Sequence, residues 1–173
     1  MLLRQIVTYE SLINSGLKPE RINSMTVSLT IFPTPFKGIY YIPTPEERKA
    51  TIIDKPRMIL TRAIAAYLNI KEFYYGCRTA EEFWGIKWQP TGDIHVVNTK
   101  ISRIVNLESR IERNSSRQNY RAKRIAKILC LYGRKIIFHK VKSIADAKIK
   151  ETPYGRFAMK SQIRKDKKRF NNK

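Results

Sequence analysis

Residues 17–43 read LKPERINSMTVSLTIFPTPFKGIYYIP, and the order of elements in this stretch decides the fold. Pro19 and Glu20 open a helix with Ile22 and Met25 on one face. Val27, Leu29 and Ile31 then alternate with Thr26, Ser28 and Thr30, the period-2 pattern of a half-buried strand. The loop FPTPFKG follows, and GIYYIP at 38–43 reads as a second strand. Upstream, Ile6, Tyr9, Leu12 and Ile13 give residues 5–16 the spacing of a helix that stops at Gly16. Helix, helix, strand, loop, strand is the order of a winged-helix unit, with 32–38 as the wing.

Downstream, Thr44, Pro45 and Glu47 combine a cap, a first-turn proline and a capping-box acid. Pro56 starts a helix over 56–68, with Ile59, Leu60, Ile64 and Leu68 on one stripe. A helix over 71–83 is predicted from Phe73, Tyr74, Cys77, Ala80 and Phe83, closed by Gly85. Ile94, Val96 and Val97 predict a short strand. A helical segment runs from Leu107 to Gly133, with Asn106 as its cap and a break at Asn114-Ser115-Ser116, where the residues are poor helix formers. Strands at 135–142 and 147–150 and a helix near 155–168 complete the reading. The fold class expected is α+β: a degenerate winged-helix unit (1–50), a small mixed α/β domain (51–164) carrying a basic helical segment, and a basic tail (165–173).

Charge narrows the function. The 173 residues hold 35 Lys and Arg against 14 Asp and Glu, a net charge of +21. It is segregated: residues 1–100 carry 13 basic and 9 acidic side chains, residues 101–173 carry 22 and 5. A cationic run without acidic partners calls for a polyanion. A basic membrane helix would need an apolar opposite face, but 107–124 offers only Leu107, Ile111 and Tyr120. No run of 18 apolar residues exists, and the start lacks a signal peptide's apolar stretch, so a cytoplasmic protein is expected. Cys77 and Cys130 read as reduced, buried thiols.

No catalytic set is legible. His95 and His139 fall in separate predicted strands, and neither lies at metal-ligand spacing with another histidine or a cysteine. Asp93 has no partner acid on the 135–142 strand, so a metal-dependent nuclease is not expected. The expectation is a non-enzyme without cofactor or metal.

Several segments resemble the archaeal and bacterial abortive-infection type IV antitoxins. Gly38, Ile39, Tyr40 and Tyr41 match the family's G-[IL]-Y-Y strand. Phe73, Tyr74, Tyr75, Ala80 and Gly85 match its FYYxxxxAxxxxG segment. Ile94, Val96 and Val97 match its I-x-V-V strand, and Thr152, Pro153 and Ala158 its TPxxxA opening, with four residues here rather than three between the proline and the alanine. The resemblance implies a winged helix followed by a mixed α/β domain, and a DNA-binding repressor that antagonises a nucleotidyltransferase toxin. The chain departs from that pattern in its charge: the candidate recognition helix holds one cation, Arg21, and the wing one, Lys37.

The charge distribution is closer to that of an archaeal-type ribosomal protein. The expected function is therefore structural RNA binding, with ribosomal RNA and neighbouring ribosomal proteins as partners and no membrane. The alternative is a DNA-binding repressor or antitoxin. The contact residues expected are Arg103, Arg110, Arg113, Arg117, Tyr120, Arg121, Lys123, Arg124, Lys127, Arg134, Lys135, Arg156, Lys160, Arg164, Lys165, Lys167, Lys168 and Arg169. Arginine forks match phosphate oxygens, and Tyr120 offers a stacking face.

Overall fold

A computed structural model of the protein describes residues 5–170. The fold is α+β, and the chain forms two compact units that interleave in sequence. Unit 1 takes residues up to 67 together with 107–132, and unit 2 takes 68–106 together with the chain from 133. The basic segment expected to belong to the α/β domain therefore lies with the N-terminal elements.

In unit 1, β1 (Gln5–Thr8) leads into α1 (Tyr9–Asn14), α2 (Pro19–Val27), β2 (Phe32–Pro33) and β3 (Ile39–Ile42). Both β1 and β2 pair antiparallel with β3, giving the order β1-β3-β2. Leu12, Ile22 and Ile31 form a core patched by Val7, Ile13, Leu17, Met25 and Tyr40. Two expectations fail here. Residues 5–16 are not one helix: Gln5–Thr8 pairs with β3, and Thr8 caps α1 by accepting from Ser11 N. The 27–31 alternation is not a strand: α2 runs through Val27, and Leu29 turns the chain at φ +53°, which brings Leu29 and Ile31 inside.

Next in unit 1 come α3 (Pro45–Ala50) and α4 (Pro56–Leu68), which ends at the first residue of unit 2, as the sequence predicts. The Thr44–Glu47 capping box forms, and Glu47 does more than cap. Its buried carboxylate accepts from Tyr41 Oη (2.6 Å), Thr44 N (2.9 Å) and Asp54 N (2.9 Å). The last elements are α6 (Glu108–Ser115) and α7 (Tyr120–Cys130); the break between them falls at 116–119, later than expected, because Asn114 and Ser115 are still helical and close α6. Leu107, with no side-chain bond, occupies the cap of α6; Asn106 instead ends a strand of unit 2. Asn119 caps α7 by accepting from Arg121 N.

Unit 2 is a six-stranded mixed sheet built from β4 (Tyr74–Tyr75), β5 (Asp93–Asn98), β6 (Arg103–Asn106), β7 (Lys135–Lys140), β8 (Ile149–Thr152) and β9 (Gly155–Ala158). The strand order is β6-β7-β5-β4-β9-β8. Two helices, α5 (Cys77–Phe83) and α8 (Lys160–Phe170), pack on each other, and α5 also contacts β5 and β9. The helix predicted over 71–83 splits, because Tyr74 and Tyr75 pair with Val97 and Val96. The helix predicted near 155–168 begins later, because Gly155–Ala158 pairs with β8. Strand β6 has no counterpart in the sequence reading. Residues 165–170 of the expected tail are helical; the rest of it lies outside the described residues. Cys77 is buried as expected, whereas Cys130 is exposed. No helix among the described residues is long and apolar enough to cross a membrane.

Candidate functional site

The contact residues expected from the sequence divide between the two units. Unit 1 holds Arg110, Arg113, Arg117, Tyr120, Arg121, Lys123, Arg124 and Lys127. Unit 2 holds Arg103, Arg134, Lys135, Arg156, Lys160, Arg164, Lys165, Lys167, Lys168 and Arg169.

In unit 1 several cations act on the protein itself. The C-terminal carbonyls of α3 sit at the negative end of the helix dipole, where Thr51 N reaches Arg48 O at 3.4 Å and Ile52 N reaches Glu47 O at 3.0 Å, and they accept further donors. Arg124 donates to Arg48 O (3.2 Å) and to Thr51 Oγ1 (3.0 Å), and Lys127 donates to Ala50 O (3.2 Å). Arg110 donates to Pro35 O at 2.9 Å; burial, and then the charge of Arg113, pull its guanidinium below the usual range. Arg124 and Arg121 are half-buried, so the cation-bearing side of α7 is partly a packing face. Arg113, Arg117 and Lys123 are exposed.

A cleft of about 610 Å³ lies in this unit. Ser28 and Thr30 line it beside Ile42, Pro43 and Pro45, and Arg48, Lys49 and Arg124 supply its charge. Tyr120 completes the lining with 76% of its surface exposed, and the Arg124 guanidinium sits 5.8 Å from its ring centroid. Aromatic rings this exposed seldom serve a core; a ring beside cations suits stacking on an unpaired base. Arg48 and Lys49 are additions to the residues expected from sequence, and only the fold brings α3 beside α7. The stretch expected as a wing is largely covered: Thr34, Pro35 and Phe36 are buried and Phe36 stacks on Tyr67 at 4.3 Å, while its one cation, Lys37, is exposed.

In unit 2 the cations of α8 are arranged differently. The helix buries Gln162, Ile163 and Asp166, which leaves Lys160, Arg164, Lys165, Lys168 and Arg169 exposed. Lys167 is the exception and pairs with the buried Glu81 at 3.0 Å. Arg156 lies 3.7 Å from Glu151, while Arg103 and Arg134 are exposed and Lys135 half-buried.

Unit 2 also assembles a cluster that linear spacing hides. β5 and β7 are parallel, with His95 opposite Ile137 and Val97 opposite His139. The two-residue offset keeps both histidines on one face of the sheet. Their rings are parallel within 6°, and His95 Nδ1 lies 2.9 Å from His139 Nε2. Cys77, the first residue of α5, completes the group: its sulfur and the two ring nitrogens all lie within 4.8 Å of one another. Cys77 is 1% exposed and holds φ at +47°, a left-handed conformation that costs an L-residue about 1–2 kcal/mol. Burial, then the nearby Asp166 charge, push its thiol up to about 12, and burial lowers the His95 imidazole. Among the described residues this is the group of three or more such side chains close enough to hold a metal ion.

Comparison of the chain with models of protein families, with curated proteins and with solved structures finds no match.

Proposed function

We propose that the protein is a non-enzymatic RNA-binding protein of the cytoplasm, with ribosomal RNA as the polyanion that best fits its charge. The observation that carries this reading is the cleft of unit 1, where Arg48, Lys49 and Arg124 border an exposed tyrosine ring. Folded RNA presents splayed bases beside phosphates, and a protein reads them by stacking and by cationic hydrogen bonds. The exposed cations of α8 add a second phosphate-binding face. Cations carried by both units suit an RNA whose backbone strands run at several angles. A winged-helix repressor needs a basic wing on the phosphates. The stretch that would form it here is packed under Tyr67 and Arg110.

The second reading is a DNA-binding regulator of the type IV antitoxin kind. It is favoured by the strand order β1-β3-β2 with α1 and α2 between β1 and β2, the arrangement of a winged helix. In this reading α2 would enter the major groove with Arg21, Asn23 and Ser24 exposed.

Fluorescence anisotropy with a stem-loop RNA and a DNA duplex of equal length separates the two. Base stacking on an aromatic ring contributes about 1–3 kcal/mol. Tyr120→Ala is therefore expected to weaken binding of the stem-loop by roughly 5- to 150-fold and to leave the duplex nearly unaffected. Preferential, sequence-dependent duplex binding that is indifferent to Tyr120→Ala overturns the RNA reading in favour of the second.

A further inference from the structure

We propose that Cys77, His95 and His139 form a binding site for one divalent transition-metal ion of the zinc or cobalt kind, independent of the nucleic-acid contacts. One thiolate and two imidazoles are a donor set that such ions favour, and three protein ligands leave a fourth position for water. The donor atoms already lie within 4.8 Å of one another. Bond lengths of about 2.0–2.3 Å in a tetrahedral site place ligands about 3–4 Å apart, so small side-chain rotations suffice. The ligands stand on a helix start and two adjacent strands, positions more rigid than loops. Thr79 Oγ1 accepts from His95 N at 2.7 Å and donates to Asp93 O at 3.2 Å, which fixes β5 against α5. Phe170 stacks on His139 at 4.1 Å and holds that ring in plane.

A separate observation points to a cation at this site. Asp166 is 3% exposed, and its Oδ1 accepts from Tyr74 Oη (3.1 Å) and Gln162 Nε2 (2.8 Å). Its Oδ2 is buried without a hydrogen-bond partner. That oxygen lies 2.8 Å from where a Cβ on Gly76 would stand, beside the backbone that carries Cys77. A buried carboxylate oxygen without a donor is costly, and a metal ion held by the neighbouring thiolate supplies the charge it lacks. On binding, the thiol proton leaves to solvent, the imidazole that donates the mutual hydrogen bond moves that proton to its other ring nitrogen so that both facing nitrogens can bind the metal, and Asp166 remains in the outer sphere.

The test titrates the full-length, chelator-treated protein with cobalt(II). The expected result is a thiolate-to-cobalt charge-transfer band with intense tetrahedral visible bands, saturating at one ion per chain, reversed by zinc, and accompanied by a higher melting temperature. Cys77→Ser should abolish the charge-transfer band, and His139→Gln should weaken binding more than tenfold. Asp166→Asn should weaken it about 10- to 100-fold, the range for outer-sphere partners. The proposal is overturned if the wild-type chain shows no charge-transfer band, or if its melting is indifferent to the ion. Both readouts use the unmodified protein, so a variant that fails to fold leaves the test intact. A band that survives Cys77→Ser in a folded variant also overturns it.

Discussion

On α7 of unit 1, Arg124 and Lys127 donate to the end of α3, and on α6 Arg110 donates to Pro35 O. On α8 of unit 2, Lys160, Arg164, Lys165, Lys168 and Arg169 are exposed, whereas Lys167 pairs with an acid, Glu81. Both helices arise from the same cation-rich half of the sequence. The difference lies in what each helix packs against. α7 lies beside a helix C-terminus whose carbonyls need donors, whereas α8 buries Gln162, Ile163 and Asp166 and turns its cations outward. A segment's charge therefore measures its capacity for polyanions only after the protein's own acceptors are subtracted.

The strongest challenge to this contrast is removal of the outward set. Replacing Arg164, Lys165, Lys168 and Arg169 with Gln should lower the slope of log affinity against log salt by about three to four, close to one per lost phosphate contact. Thermal unfolding should change little, since these side chains are exposed. An unchanged slope would show that α8 contacts no phosphate.

The inward set should behave in the opposite way. Replacing Arg124 and Lys127 with Gln removes donors to Thr51, Arg48 and Ala50. Each loss is expected to cost about 1 kcal/mol of stability, measured by urea unfolding at fixed pH. Stability equal to wild type would mean that these bonds are replaced by water at no cost and that the contrast with α8 is empty.

The sequence was readable where a signal is local. Pro56 and the apolar stripe define α4, the Thr44–Glu47 box defines the start of α3, and Asn114-Ser115-Ser116 announces a break that begins only at its last residue. It misled where pairing is decided far away in the chain. Gln5–Thr8 looks helical until Ile39–Ile42 supplies a strand partner, and Tyr74-Tyr75 look helical until Val96 and Val97 do. Leu29 breaks an apparent alternation by adopting a left-handed turn that composition does not announce. The candidate sites follow the same rule. The abundance of cations is plain in the sequence, but their orientation and the neighbours Arg48 and Lys49 depend on packing. The histidine pair could be found only by combining period-2 alternation with the parallel register of β5 and β7.

The account rests on phosphate neutralisation by outward-facing cations, and one titration tests that most directly. Affinity of the wild-type chain for a stem-loop RNA is measured between 50 and 200 mM salt. With roughly 8–10 phosphates contacted, it should fall by about four to five decades for a duplex-like slope, and by less where the contacted strand is single. A nearly flat dependence across that range would contradict the account.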